Sequence, residues 1–244
     1  MKIRTALQIG DYHTNHCEDY SFTGKIGSDK ILCAVMDGCT TAIDSHFTST
    51  LVGKILRKIT IGKGYEELYN TGAYSDIDGN LKSILRELFK ELVIVKNQLM
   101  LERNELLTTL IILLADTKVN AGIVLVVGDG LVSINGQVTE FDQDNKPDYL
   151  GFHLSEDFDS WYDNQNQKIL FNNIQDISIA TDGIFSFEQV KKVSGESAIN
   201  ATIFLTTDTL GAENNEMLAL KLKTLEHQYG LKPTDDLALI RIMK

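Results

Sequence analysis

The chain has 244 residues, 43% of them apolar and 23% charged, the composition of an ordinary soluble globular protein long enough to bury a sizeable core. Its 34 acidic and 23 basic residues give a formal net charge of −11, which argues against nucleic acid and anionic membranes as partners. Cys17, Cys33 and Cys39 have no paired spacing, which excludes a disulfide framework and a zinc site of the CxxC kind. The first residues lack a secretory leader and no apolar run approaches the roughly 20 residues that span a bilayer, so a soluble, cytoplasmic protein is expected.

In chain order, residues 2–9 alternate loosely and predict a strand. Residues 10–19 (GDYHTNHCED) are polar and predict a loop. Segments 20–26 and 30–36 predict a strand pair turned by Gly27-Ser28-Asp29. Asp44 or Ser45 can cap a helix to about Lys58, with Phe47, Leu51, Ile55 and Ile59 spaced by four. Residues 61–80 predict a loop. Residues 81–105 predict the longest helix, with Asn80 as its cap and Ile84, Leu85, Leu88, Leu92, Val95 and Leu99 on one face. Strands follow at 108–115 and 120–127, and Asn135-Gly136 signals a hairpin between 131–134 and 137–141. Residues 142–167, irregular and carrying the single Trp161, predict an inserted loop or flap within one domain spanning 1–244. Strands at 168–171 and 177–180, a helix over 213–228, a break at Pro233 and a last strand at 237–243 complete the pattern. Hairpin-joined strands argue for antiparallel sheets, and paired helices must cover their outer faces. The expected fold class is α+β, a four-layer α-β-β-α sandwich with two mainly antiparallel sheets.

One grammar recurs along this chain. Residues 31–38 (ILCAVMDG) run from an apolar strand into Asp37-Gly38, residues 177–183 (ISIATDG) into Asp182-Gly183, and residues 122–130 (GIVLVVGDG) into Asp129-Gly130. Asp235 and Asp236 precede the final run, and Glu18 and Asp19 follow the first loop. A single aspartate at a strand end is commonly a turn former. A set of them suits a shared site, because hard divalent cations take several carboxylate oxygens, and a two-metal centre needs acids from several segments.

In order, these motifs resemble those of the PPM-type metal-dependent protein Ser/Thr phosphatases, the protein phosphatase 2C family. Cys17-Glu18-Asp19, VMDGC at 35–39, Leu107-Thr108-Thr109-Leu110, VVGDG at 126–130, ATDGIF at 180–185 and TDDLALI at 234–240 match its pattern over nearly the whole chain. The resemblance implies a phosphorylated protein substrate and two divalent cations, Mn2+ or Mg2+. Asp37 would bridge them, the Gly38 carbonyl and Glu18 would serve one, and Asp182 and Asp235 the other. Asp129 would belong to a weaker third cation, with Asp19 close by. The implied reaction is direct hydrolysis of phosphoserine or phosphothreonine by a metal-bridging water, without a protein nucleophile.

Three positions depart from the family pattern. Thr14 stands where members often carry a phosphate-gripping arginine, and His13 beside it can donate to phosphate instead or be a surface loop residue. Cys39 stands where many members carry a histidine after Asp-Gly, and a thiol is a weak proton donor; His16 or His46 could serve, or face solvent. Ser186 stands where an aspartate usually follows the Ser-Asp-Gly motif, which weakens a full third metal site. The wording resembles a bacterial-type subgroup. The alternative function is a catalytically weak, phosphatase-like sensor or adaptor module, and oligomeric state is left open.

Overall fold

The computed structural model describes residues 1–69, 76–143, 146–191 and 199–244. Strands β1 (Lys2–Gln8), β2 (Tyr20–Ile26) and β3 (Lys30–Met36) lead into helices α1 (Ser45–Tyr69) and α2 (Ile77–Leu99). Then come β4 (Leu110–Asp116), β5 (Ala121–Val127), β6 (Gly130–Ile134), β7 (Gln137–Phe141), α3 (Phe158–Asp163), β8 (Lys168–Asn172) and β9 (Asp176–Ala180). The chain ends with β10 (Phe187–Gln189), α4 (Ala201–Thr206), α5 (Met217–Tyr229), β11 (Leu231–Pro233) and β12 (Leu237–Met243). One sheet runs β2-β3-β4-β5-β8 and the other β1-β12-β9-β6-β7, while β10 and β11 form a small ribbon. Every pairing is antiparallel.

Alternation along the strands explains the layering. In β3, Leu32, Ala34 and Met36 join an apolar cluster with α1 and α2, while Ile31, Cys33 and Val35 join a second cluster with β9 and β12. In β12, Ala238, Ile240 and Ile242 belong to that second cluster, and Leu237 and Leu239 to a third with α4 and α5. Across the three clusters, α1 and α2 pack on one sheet, that sheet on the other, and the other on α4 and α5. A strand between two apolar layers reads as an unbroken apolar run, which is why 31–36 shows no alternation. Arg241 is the polar exception: it is fully buried on the outer face and forks onto Asp176 at 2.8 and 2.5 Å.

Several sequence expectations are corrected. The first helix does not stop near Lys58 but continues to Tyr69, so 61–69 is helical rather than loop; 70–75 lies outside the described residues. Its second half carries Ile61, Tyr65, Leu68 and Tyr69 exposed, which broke the apolar spacing that marks a buried face. The helix expected to be the longest is α2, whose 23 residues fall short of the 25 of α1, and Asp76 rather than Asn80 caps it: the Asp76 carboxylate accepts the Gly79 N–H at 2.6 Å. It ends at Met100 in the left-handed conformation, and Arg103–Glu105 is a separate short turn. The stretch predicted as an inserted loop or flap holds α3, whose Trp161 and Tyr162 are buried, Trp161 against Phe89 of α2. Helix α4 and the β10–β11 ribbon were not expected; both are too short to show a period. The helix predicted over 213–228 begins at Met217. No described helix is long and apolar enough to cross a membrane.

Candidate active site

Antiparallel register gathers the acids. Tyr20 pairs with Met36, Leu110 with Val127, and Ala180 with Leu239. The start of β2, the ends of β3, β5 and β9 and the start of β12 therefore lie at one end of the sandwich, where β3 packs against β9 and β12. Glu18 and Asp19, Asp37, Asp129, Asp182, and Asp235 and Asp236 stand on those termini.

Backbone contacts fix each corner. The Asp37 carbonyl accepts from Thr109 N at 2.9 Å and Thr108 Oγ1 at 2.7 Å, and Asp37 N donates to Thr109 Oγ1 at 3.1 Å. Gly38 N donates to the Glu18 carbonyl at 3.2 Å. A Cβ at Gly38 would overlap the Ser45 carbonyl, and one at Gly183 the Asp236 carbonyl, so both Asp-Gly pairs are demanded by close backbone approach. Ser45 Oγ donates to Glu18 Oε1 at 2.6 Å, and Thr181 Oγ1 to Asp19 Oδ2 at 2.6 Å.

Asp236 is the organiser that the sequence did not single out. It is 1% exposed, and its carboxylate accepts from Gly10 N at 2.7 Å and Glu18 N at 2.5 Å. His13 Nδ1 lies 2.9 Å from Asp236 Oδ2, and His13 Nε2 lies 3.6 Å from Asp235 Oδ1. Burial alone would lower the His13 pKa, but the hydrogen bond and charge of Asp236, with the charges of Glu18 and Asp235, raise it. His13 is thus docked on the aspartate pair. His16 and His46 stack on each other, with ring centroids 4.4 Å apart.

The electrostatics are one-sided. Burial, then the charge of Asp182, pushes Asp19 up to about 8, although the Thr181 hydrogen bond opposes it. Burial and the charges of Asp19 and Asp182 hold Asp37 well above the usual carboxylate range. Burial and the charges of Asp129 and Asp235 push Asp182 up to about 7. Asp129 is raised by burial and by Asp142 and Asp235. The charges that shift these four acids most are other carboxylates. Glu18 Oε2, Asp19 Oδ1 and Asp129 Oδ1 are buried without a hydrogen-bond donor among the described residues. An open cleft of about 450 Å3 reaches the cluster, lined among others by Asp129, Asp182, Asp235, Ser186 and Phe185. Ser186 Oγ accepts from Asp235 N at 3.1 Å and donates to the Gly183 carbonyl at 2.8 Å, so it braces the two corners where an acid was expected.

Such a set, oxygen-only, acceptor-only and short of positive charge, fits hard divalent cations. A family model described as protein phosphatase 2C matches residues 10–225. The chain belongs to the protein phosphatase 2C family. Solved structures agree in fold. The phosphatase domain of SpoIIE from Bacillus subtilis, with a fragment of its regulatory domain, is 16% identical with a TM-score of 0.57; the match covers 98% of this chain and 62% of that one, so this chain spans less than two thirds of it. RsbX in complex with magnesium is 16% identical with a TM-score of 0.54, covering 98% of this chain and 94% of that one. The protein phosphatase 2C domain of SiaA from Pseudomonas aeruginosa is 14% identical with a TM-score of 0.60, covering 99% and 85%. No curated protein matches the chain.

Sequence reasoning missed Ser45 and Thr181, and it weighed Asp236 only as the alternative to Asp235. Asp236 is one of a legible pair, but nothing in the sequence says which member turns inward. Ser45 and Thr181 carry no motif.

Proposed function

We propose that this protein is an active metal-dependent protein phosphatase, hydrolysing phosphoserine or phosphothreonine on a protein substrate. The observation that carries the reading is the convergence of buried carboxylates, several with oxygens that no donor among the described residues reaches. Asp37, Asp182, Asp235, Glu18 and the Gly38 carbonyl would hold two divalent cations, Mg2+ or Mn2+, with Asp129 on a weaker third. When bound, such cations lower the pKa of water and balance charge on phosphoryl oxygens.

The chain's own groups do the rest. Thr108 and Thr109 hold the Asp37 corner, and Asp236 ties Gly10 and Glu18 to the start of β12, so the acids are preorganised rather than gathered at binding. His13, seated on Asp235 and Asp236, offers a donor at the rim for a phosphate oxygen. The cleft admits a side chain bearing a phosphomonoester. The free cysteines Cys17, Cys33 and Cys39 are in keeping with a cytoplasmic setting.

The test is hydrolysis of a phosphoserine peptide by the purified chain in Mn2+ or Mg2+. Turnover that EDTA abolishes and Asp37→Asn removes supports the reading. Calorimetric cation binding without turnover of any phosphopeptide would favour a sensor or adaptor instead.

A further inference from the structure

The cleft that reaches the acid cluster holds more carboxylates than the cation reading uses. Five of the residues lining its space of about 450 Å3 are acids: Asp129, Glu140, Asp142, Asp182 and Asp235. No lysine, arginine or histidine is among the described residues that line it. Asp182, Asp235 and Asp129 are assigned to cations above. Glu140 and Asp142 are left over.

Strand register brings these two to the site. In the ladder β9-β6-β7, Ala180 pairs with Leu131, Leu131 with Glu140, and Gly130 with Phe141. The end of β7 therefore stands at the same end of the sheet as the Asp129-Gly130 and Asp182-Gly183 corners, one strand further out, and β7 is the edge strand. Glu140 is exposed and makes no ion pair among the described residues. The remaining wall is aromatic. Phe185 closes the turn that begins at Asp182; it lines the cleft and is 43% exposed, next to a fully buried Ile184. Phe141 lines the cleft while its other side packs on the second apolar cluster.

Carboxylates beside an open phenyl face suit one kind of side chain. A lysine or arginine lays its apolar stem on the ring, sets its cationic head against the ring face and reaches carboxylate oxygens. An acidic side chain there would meet like charge, and a short neutral one would reach neither. The phosphoryl group is itself an anion approaching an acidic cleft, so a cation beside it in the substrate also favours the encounter.

We propose that the outer arm of this cleft is a specificity site for a lysine or arginine flanking the phosphoserine or phosphothreonine of the substrate. The stem of that residue lies on Phe185 and Phe141, and its head meets Glu140 and Asp142. This rests on the phosphatase reading above and names the substrates that reading leaves open: phosphorylated segments with a basic neighbour.

The test measures hydrolysis in Mn2+ of phosphoserine peptides carrying arginine, glutamine or glutamate at nearby positions on either side of the phosphoserine. Wild type should favour the best arginine peptide over its glutamine counterpart by about tenfold in kcat/KM, with the difference in KM, the scale of a rim ion pair added to a cation–π contact. Combining Glu140→Gln with Asp142→Asn should reduce that preference to about twofold or less, and raising the salt to about 0.5 M should erode it in wild type. Each preference is a ratio within one preparation, so the folded fraction cancels. Wild type that turns over all three series equally would overturn the assignment and leave the phosphatase reading intact. So would a double variant that keeps the preference. Fewer Mn2+ ions bound by the double variant in calorimetry would give the two acids to a cation and likewise overturn it. Wild type inactive on every peptide would sink the phosphatase reading, and this assignment with it.

Discussion

Asp235 and Asp236 are neighbours in the chain and opposites in environment. The Asp235 side chain is 48% exposed and lines the cleft with Asp182, whereas Asp236 is 1% exposed and clamps the 10–18 loop to the last strand. Asp236→Ala should cost about 3 kcal/mol of stability, because it leaves buried backbone donors without their charged acceptor. Asp235→Asn should leave stability nearly unchanged and weaken cation binding at least tenfold. Urea denaturation and calorimetry separate the two outcomes; a large stability loss in Asp235→Asn would show that the roles are reversed.

Asp37 predicts effects of opposite sign with and without metal. Burial and the charges of Asp19 and Asp182 oppose its ionisation, so Asp37→Asn removes from the metal-free protein a carboxyl that the fold holds neutral at a cost. The melting temperature in EDTA should rise. The added stabilisation by Mn2+ should vanish, and turnover should fall by about 1000-fold, the scale of losing several kcal/mol of transition-state charge balance. A variant that keeps the wild-type response to Mn2+ contradicts the assignment.

The cluster also sets a pH dependence. Carboxylates ionise near 4 in the unfolded chain, to order of magnitude, but Asp182 is pushed up to about 7 and Asp19 to about 8 in the fold. Between those limits the folded state binds more protons than the unfolded one. Stability in EDTA should therefore fall as pH rises from about 5 to about 8. Cations compete with those protons, so saturating Mn2+ should raise the melting temperature more at pH 8 than at pH 5; a saturating ligand at 100 times its Kd contributes about 2.7 kcal/mol. Thermal scans across pH, with and without metal, test the sign directly.

Trp161 tests whether 146–167 is core or flap. It is 4% exposed and packs on Phe89 at 4.6 Å between ring centroids. Trp161→Ala should cost about 3–5 kcal/mol, the scale for emptying an aromatic site in a packed core. A loss near zero in chemical denaturation would restore the flap reading.

How much was legible follows from the range of each interaction. Strand pair 20–26 with 30–36 and the Asn135-Gly136 hairpin were readable because their pairing is local and their turn residues carry the signal. The break of the first helix was misplaced because a helix half exposed at Ile61, Tyr65 and Leu68 loses its apolar period. Trp161 signalled that 142–167 packs on something, but its partner on α2 is a distant segment, invisible to periodicity.

The sequence alone determined the acids, their order and their position at strand ends, since those are properties of short segments, and with them the family. Only the tertiary structure decided which carboxylates turn inward and which one ties the loop to the last strand. Those relations join residues up to 226 positions apart, as in Gly10 N to Asp236 Oδ1. Sheet register and the desolvation of facing charges set them, and both exist only once the two sheets have packed.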